Sequence, residues 1–177
     1  MNLANKITIL RIFMIPIFVV VLMQNTETMF AIAGVIFIVA SLTDFLDGYI
    51  ARSRNMITKF GKFMDPLADK LLVMSAFVSF VELQLVPAWI VIIILAREFI
   101  ISIFRAIAAS EGIVLAAGKL GKYKTVSQML CIIVLCFNNY PFSLGSIPMD
   151  QILLYLCAFL TLWSGYDYII KNKSVLA

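Results

Sequence analysis

The sequence predicts an all-α integral membrane protein of six transmembrane helices with both termini in the cytoplasm, and three observations predict it. The 177 residues are 63% hydrophobic and only 14% charged, with a mean hydropathy of +1.03, far outside the range of soluble domains. Apolar stretches of about 20 residues, long enough to cross a bilayer core, can be laid out six times and fill nearly the whole chain. The basic residues near the breaks all fall on one side of that layout, as the bias of cytoplasmic loops toward Lys and Arg requires.

The first span, about 7–24, follows Lys6 and holds Arg11 near its start. No small-x-small cleavage site follows it, which argues against a signal peptide. A polar break at about 24–28 leads into the second span, about 29–51, which ends in acidic residues and the basic connection of Arg52, Arg54, Lys59 and Lys62. The third span covers about 63–85, and Pro66 predicts that it starts near Asp65 or bends there, because proline is comfortable only in a first turn or at a kink. After a break at about 84–87, the fourth span runs over about 87–110 and holds Arg97, Glu98 and Arg105. The break at about 111–121 precedes a fifth span, about 122–141, with Lys119, Lys122 and Lys124 at its cytoplasmic end. The sixth, about 149–170, follows a break at about 138–148 and ends in Lys171 and Lys173. The connections around Glu27, Glu82 and Asp150 hold no Lys or Arg, and an odd number of spans would scatter the charges. Residues 1–177 thus read as a single transmembrane domain, without a soluble module or internal repeat.

The formal net charge of +4 is a juxtamembrane feature suited to anionic lipid headgroups rather than to nucleic acid. The chain contains no histidine, which excludes Ser-His and Cys-His nucleophile schemes. Cys131, Cys136 and Cys157 lack the close pairing of a zinc site and read as inert core residues. Lys6, Lys59, Lys171 and Lys173 read as orientation determinants, and Glu111, Asp150 and Asp167 as interfacial. Acid-base chemistry falls to carboxylates.

Four of these carboxylates form a pattern: Asp44-x2-Asp47-Gly48-x2-Ala51-Arg52-x8-Gly61-x3-Asp65-x3-Asp69. Ionisable groups at membrane depth are costly and mark function, and four converging acids need a shared counter-charge. At about 100° per residue, Asp44, Asp47, Gly48 and Ala51 fall within one arc of roughly 100°. The small residues let a ligand phosphate approach the backbone. Gly61, Asp65 and Asp69 recur at intervals of four and share a face if the helix already begins near Gly61. Oxygen-only donors suit Mg²⁺ or Mn²⁺, and two such ions roughly 3.5–4 Å apart clamp a displacement at phosphorus. Arg52 and the hydroxyl of Thr58 could hold a nucleotide's phosphates or ribose. Arg97 and Arg105 lie within about 80° of each other around their helix and roughly 12 Å along it, so both face one cavity. With Lys122, and with Lys119 or Lys124, they predict an anion pocket for a phosphorylated acceptor. The adjacent Arg97 and Glu98 could instead be a structural ion pair, although neighbours on a helix point in different directions.

The full pattern from Asp44 to Asp69 resembles the signature of the CDP-alcohol phosphatidyltransferases, membrane enzymes that move a phosphoryl-linked group from a CDP-alcohol to another alcohol. Length, six spans and cytoplasmic termini resemble the family's bacterial branch, Gram-positive members above all, as do Asn5-x2-Thr8-x2-Arg11, KFMDPLADKLL over 62–72, Ala96-Arg97-Glu98-Phe99 with Arg105, and Gly121-Lys122-Tyr123-Lys124-Thr125. One departure is Phe99-Ile100-Ile101-Ser102-Ile103-Phe104-Arg105, where related enzymes tend to carry Thr-Gly-Leu before the second arginine.

That resemblance implies a CDP-alcohol phosphotransferase-like bundle and a homodimer. It further implies that Asp44 and Asp65 bridge the two ions, that Asp47 completes one site, and that Asp69 contacts the other and accepts a proton. Gly48, Ala51, Arg52 and Thr58 would line the CDP moiety, with Asn5 and Thr8 closing over the nucleotide. The implied reaction transfers the phosphatidyl group of CDP-diacylglycerol to glycerol 3-phosphate and releases CMP. The alternatives are another acceptor, such as an inositol phosphate, serine or phosphatidylglycerol, or, in a different class, a divalent-cation transporter. A transporter would hold its aspartates near the bilayer middle between broken helices rather than toward one face beside a basic loop.

Overall fold

The structure, a computed structural model, describes residues 3–53, 59–113, 115 and 118–173, with the side chains of 3–6, 44–53, 59–63, 65 and 66 outside that description. Six helices follow one another: α1 (Leu3–Leu22), α2 (Glu27–Ser53), α3 (Lys59–Glu82), α4 (Ala88–Ser110), α5 (Lys119–Cys136) and α6 (Met149–Lys171), with a short 3₁₀ turn at Phe142–Gly145. No strand occurs among the described residues.

Local chemistry sets the helix ends. The Thr26 hydroxyl accepts a hydrogen bond from the Met29 N–H at 3.3 Å, capping α2, and Glu27 complements the positive end of its dipole. Asn25 (φ 51°) turns the chain between α1 and α2 in the left-handed region, and Gln84 (φ 63°) does so after α3. Two successive left-handed residues, Asn138 (φ 49°) and Asn139 (φ 59°), terminate α5. That helix therefore stops at Cys136, short of the expected 141. At the other end of the misjudged boundaries, α3 begins at Lys59 and continues through Pro66. Asp65 is thus not near the start of its helix, and the condition for positions 61, 65 and 69 to succeed one another at one face is met.

α1 packs along α2 and α3, α5 along α6 and α2, and α4 along α6, while α3 also touches α4 and α5. Phe18, Phe37, Phe77, Phe80, Ile90, Ile94 and Ile132 are fully buried in the main core, and the rings of Phe18 and Phe37 lie 5.9 Å apart. A smaller cluster joins Ile101, Phe104 and Ala108 of α4 to Tyr168 of α6. Gly34 brings α2 against the end of α5: a Cβ there would lie 2.9 Å from Phe137 Cε2 and 3.0 Å from Cys136 Cβ. Overpacking against the Phe137 ring and the Cys136 side chain costs about 1–3 kcal/mol. Gly34→Ala is therefore expected to lower the thermal unfolding temperature in detergent, and an unchanged midpoint would show that the α2–α5 contact is looser than drawn.

Large apolar side chains are exposed on every helix, and a few charged ones are buried. Arg11 and Lys124 are 1% and 3% exposed, whereas Phe13 and Ile92 are 65% and 63% exposed. Among the described residues, one helix, α6, is long and apolar enough by itself to cross a membrane, and Ile7–Leu22 and Glu27–Thr43 form shorter apolar stretches. α4 and α5 fall short because of the charges they carry at 97, 98, 105, 119, 122 and 124. All of those charges except Lys119 line one cavity.

Candidate active site

Only five residues separate α2 from α3, so their facing ends are at most ~20 Å apart. Measured from that connection at 1.5 Å per residue, Asp44 and Asp69 sit roughly 14–15 Å along their helices, and Asp47 and Asp65 roughly 9 Å. The four positions thus fall in two pairs at similar distances from the connection along neighbouring helices. Asp44, Asp47, Gly48, Ala51, Arg52 and Asp65 have described helical positions with side chains outside the description, as does Asn5, and Thr58 lies outside the described residues altogether. Thr8 is fully buried on α1. Among the described residues no three acidic or cysteine side chains group together.

Asp69 stands at the wall of a cavity of about 410 Å³ between α3, α4 and α5. Lys70 joins it from α3, Arg97, Glu98, Ser102 and Arg105 come from α4, and Lys122, Lys124, Thr125 and Gln128 come from α5. The eight-residue spacing of Arg97 and Arg105 brings both onto this one cavity. Lys119, the first residue of α5, is exposed and is not part of the lining. One helical turn separates it from Lys122, which does line the wall. Arg11, read as an interfacial marker of the cytoplasmic side, is buried in α1.

Five cations and two carboxylates line the cavity, so its described walls carry a formal excess of three positive charges. Glu98 organises two of the cations: its Oε1 accepts from Arg97 Nη1 at 3.0 Å and from Lys124 Nζ. The Arg97–Glu98 ion pair is therefore real, and it belongs to the cavity wall as well. Lys70 Nζ donates to Ser102 Oγ, and that hydroxyl donates to the Glu98 carbonyl at 2.6 Å. Arg105 Nε donates to Tyr168 Oη at 2.9 Å, and its guanidinium carbon sits 5.1 Å from the centre of the same ring. Gly165 of α6 makes room for Arg97, since a Cβ there would lie 3.1 Å from Arg97 Cγ. Arg97 Nε is buried and meets no hydrogen-bond partner among the described residues.

Sequence reasoning missed Lys70, Ser102, Gln128, Gly165 and Tyr168. The first three had a usable signal. Lys70 adjoins Asp69, and Ser102 and Gln128 follow Glu98 and Lys124 by four residues, the interval that keeps helical side chains on one face. Gly165 and Tyr168 act across the α4–α6 contact, which no spacing within one helix reveals.

A family model described as CDP-alcohol phosphatidyltransferase matches residues 1–163. The CDP-diacylglycerol–glycerol-3-phosphate 3-phosphatidyltransferase of Bacillus subtilis is 42% identical, covering 99% of this chain and 97% of its own length. The protein of the same name from Haemophilus influenzae is 40% identical over 99% of this chain and 95% of its own. Its counterpart in Rickettsia typhi is 38% identical over 94% of both.

Proposed function

The chain belongs to the CDP-alcohol phosphatidyltransferase family, and within that family we propose that it moves the phosphatidyl group of CDP-diacylglycerol to glycerol 3-phosphate, giving phosphatidylglycerol phosphate and CMP. The relatives that match it over nearly their whole length carry that activity in their names. The observation that carries the reading is the cationic cavity that begins at Asp69 and continues to Arg97, Arg105 and Lys122. A phosphate monoester fills it electrostatically. A neutral acceptor such as serine leaves its excess positive charge unmatched.

The exposure of large apolar side chains on every helix supports a multi-pass protein of the cytoplasmic membrane, since soluble proteins rarely expose large apolar areas. The segregation of Lys and Arg to one side supports cytoplasmic termini and an active site on that face, within reach of a soluble acceptor and the lipid surface. A homodimer completes the reading.

The residues present fit a pair of divalent cations. Four aspartates in two pairs at similar distances from the α2–α3 connection offer an all-oxygen donor set suited to Mg²⁺ or Mn²⁺, and Asp44, Asp47, Asp65 and Asp69 would hold them. When bound, the ions neutralise the pyrophosphate and the charge that develops on departing CMP. The protein's own groups do the rest. Gly48, Ala51, Arg52 and Thr58, with Asn5 and Thr8, hold the CDP moiety. Arg97, Arg105 and Lys122 bind the acceptor's phosphate, with Lys124 held beside them by Glu98, and so aim its terminal hydroxyl toward Asp69. The hydroxyl proton passes to an Asp69 carboxylate oxygen as the acceptor oxygen bonds to the lipid-bearing phosphorus. The bond from that phosphorus to its bridging oxygen breaks, and CMP leaves with the electron pair. No covalent enzyme intermediate is required.

The test is release of CMP from radiolabelled CDP-diacylglycerol by purified protein in detergent. Release is expected only with both glycerol 3-phosphate and Mg²⁺ or Mn²⁺ present. Turnover with serine or phosphatidylglycerol at equal or greater rate would replace the acceptor, and release indifferent to chelation would remove the ions.

A further inference from the structure

Glycerol 3-phosphate presents three groups to a protein: a phosphate, the terminal hydroxyl that attacks, and a secondary hydroxyl that takes no part in the chemistry. The cations answer the first and Asp69 the second. The third calls for an uncharged hydrogen-bonding side chain deep in the same cavity, because an unmatched hydroxyl buried there costs free energy.

The described lining offers three uncharged side chains with strong hydrogen-bonding groups: Ser102, Thr125 and Gln128. Ser102 is occupied, accepting from Lys70 and donating to the Glu98 carbonyl. Thr125 spends its hydroxyl proton on the Gly121 carbonyl one turn back, at 3.1 Å. Gln128 differs from both. It is 2% exposed, and its amide nitrogen meets no hydrogen-bond partner among the described residues. The Cys157 thiol of α6 is within hydrogen-bonding reach of the Gln128 side chain, but a thiol is only a weak acceptor, so the amide is left without a strong partner. A buried amide in this state calls for a partner, which a water or a ligand group in the cavity can supply. Gln128 also lies one helical turn beyond Lys124 and two beyond Gly121, so it stands farther along α5 than the cations at its start.

We propose that Gln128 recognises the secondary hydroxyl of the acceptor and is the residue that restricts transfer to a glycerol phosphate. The assignment rests on the acceptor reading above and goes beyond it. A carboxamide can donate to that hydroxyl and accept from it, so one side chain reads the group whichever way its proton points. The consequence is selectivity against acceptors of the same charge that lack the group, because they leave the buried amide unanswered.

The probe is 2-hydroxyethyl phosphate, which keeps the phosphate and an attacking primary hydroxyl and lacks the secondary one. The readout is the ratio of kcat/KM for glycerol 3-phosphate to that for 2-hydroxyethyl phosphate, taken on one preparation, so that it does not depend on the fraction of protein that is folded. Wild-type protein is expected to favour glycerol 3-phosphate by roughly tenfold to a hundredfold. Gln128→Met, which keeps the length and bulk of the side chain, is expected to bring the ratio within about threefold of unity, with the loss falling on glycerol 3-phosphate. Gln128→Asn keeps the carboxamide on a shorter stem and should give an intermediate ratio; it decides the matter if the Met variant does not fold. A variant that retains the wild-type ratio overturns the assignment, as does wild-type protein that shows no preference while turning over both acceptors. Wild-type protein that turns over neither overturns the acceptor reading instead.

Discussion

Asp69→Asn is expected to lower kcat for CMP release by roughly 10²- to 10⁴-fold, the contribution of a positioned general base. The substitution conserves shape, and it removes the oxygen that would take the acceptor's proton together with one negative charge of the proposed ion site. Asp69 is the one member of the aspartate pattern that the described structure puts on the wall of the cationic cavity, beside the side chains that would hold the acceptor's phosphate. On the proposed reading, the proton and the phosphate are handled by separate groups. The effect should fall mainly on kcat, with the KM for glycerol 3-phosphate staying within a few-fold of wild type because Arg97, Arg105 and Lys122 are untouched. Steady-state kinetics at saturating CDP-diacylglycerol, with Mn²⁺ binding followed separately, distinguishes the two roles. A folded, metal-binding Asn variant with turnover near wild type would remove Asp69 as the proton acceptor. A variant that loses metal and activity together, and recovers both at high Mn²⁺, would reduce its role to that of a ligand.

Apolar stretches of membrane-crossing length made the six helices legible, and the boundaries failed where that signal is weakest. The first turns of α3 hold Lys59, Lys62 and Asp65, so a hydropathy reading starts the helix late, and Pro66 reinforces the error although the helix continues through it. The end of α5 is set by two asparagines in left-handed conformation, which an apolar run from 130 to 137 conceals. In the site, the spacing of Arg97 and Arg105 was readable because one helix determines it. The partners of Glu98 were not: Lys124 lies 26 positions away, and only the packing of α4 and α5 against their shared neighbours α3 and α6 brings the two side chains together across the cavity. Sequence proximity suggested an Arg97–Glu98 pair and missed that the same carboxylate holds a second cation. Lys119 and Lys124 stood as alternatives beside Lys122 in a run of basic residues, yet the three lysines have different environments. Lys119 is exposed one turn before the cavity lining begins, Lys122 is an exposed part of the wall, and Lys124 is buried.

Glu98→Gln is expected to destabilise the protein more than any other single substitution in the cavity wall. The carboxylate accepts from Arg97 and Lys124, and the side chains of Glu98 and Lys124 are only 12% and 4% exposed. Removing one member of a buried pair leaves an uncompensated charge and costs about 3–5 kcal/mol. Here two cations would be left facing each other across a neutral amide, which places the loss toward the upper end of that range. For a chain of this size the thermal midpoint in detergent should fall by roughly 6–20 °C. The cause is separable from lost packing, because Glu98→Gln preserves volume. Adding Lys124→Met should recover much of the loss, since it removes the orphaned ammonium and leaves an apolar side chain of similar length. Acceptor binding should distinguish the variants differently: the double variant keeps Arg97, Arg105 and Lys122 and should retain a measurable KM for glycerol 3-phosphate. A single variant that unfolds within about 2 °C of wild type would mean that Lys124 reaches water or another acceptor, and that the ion pairs of Glu98 add little to stability.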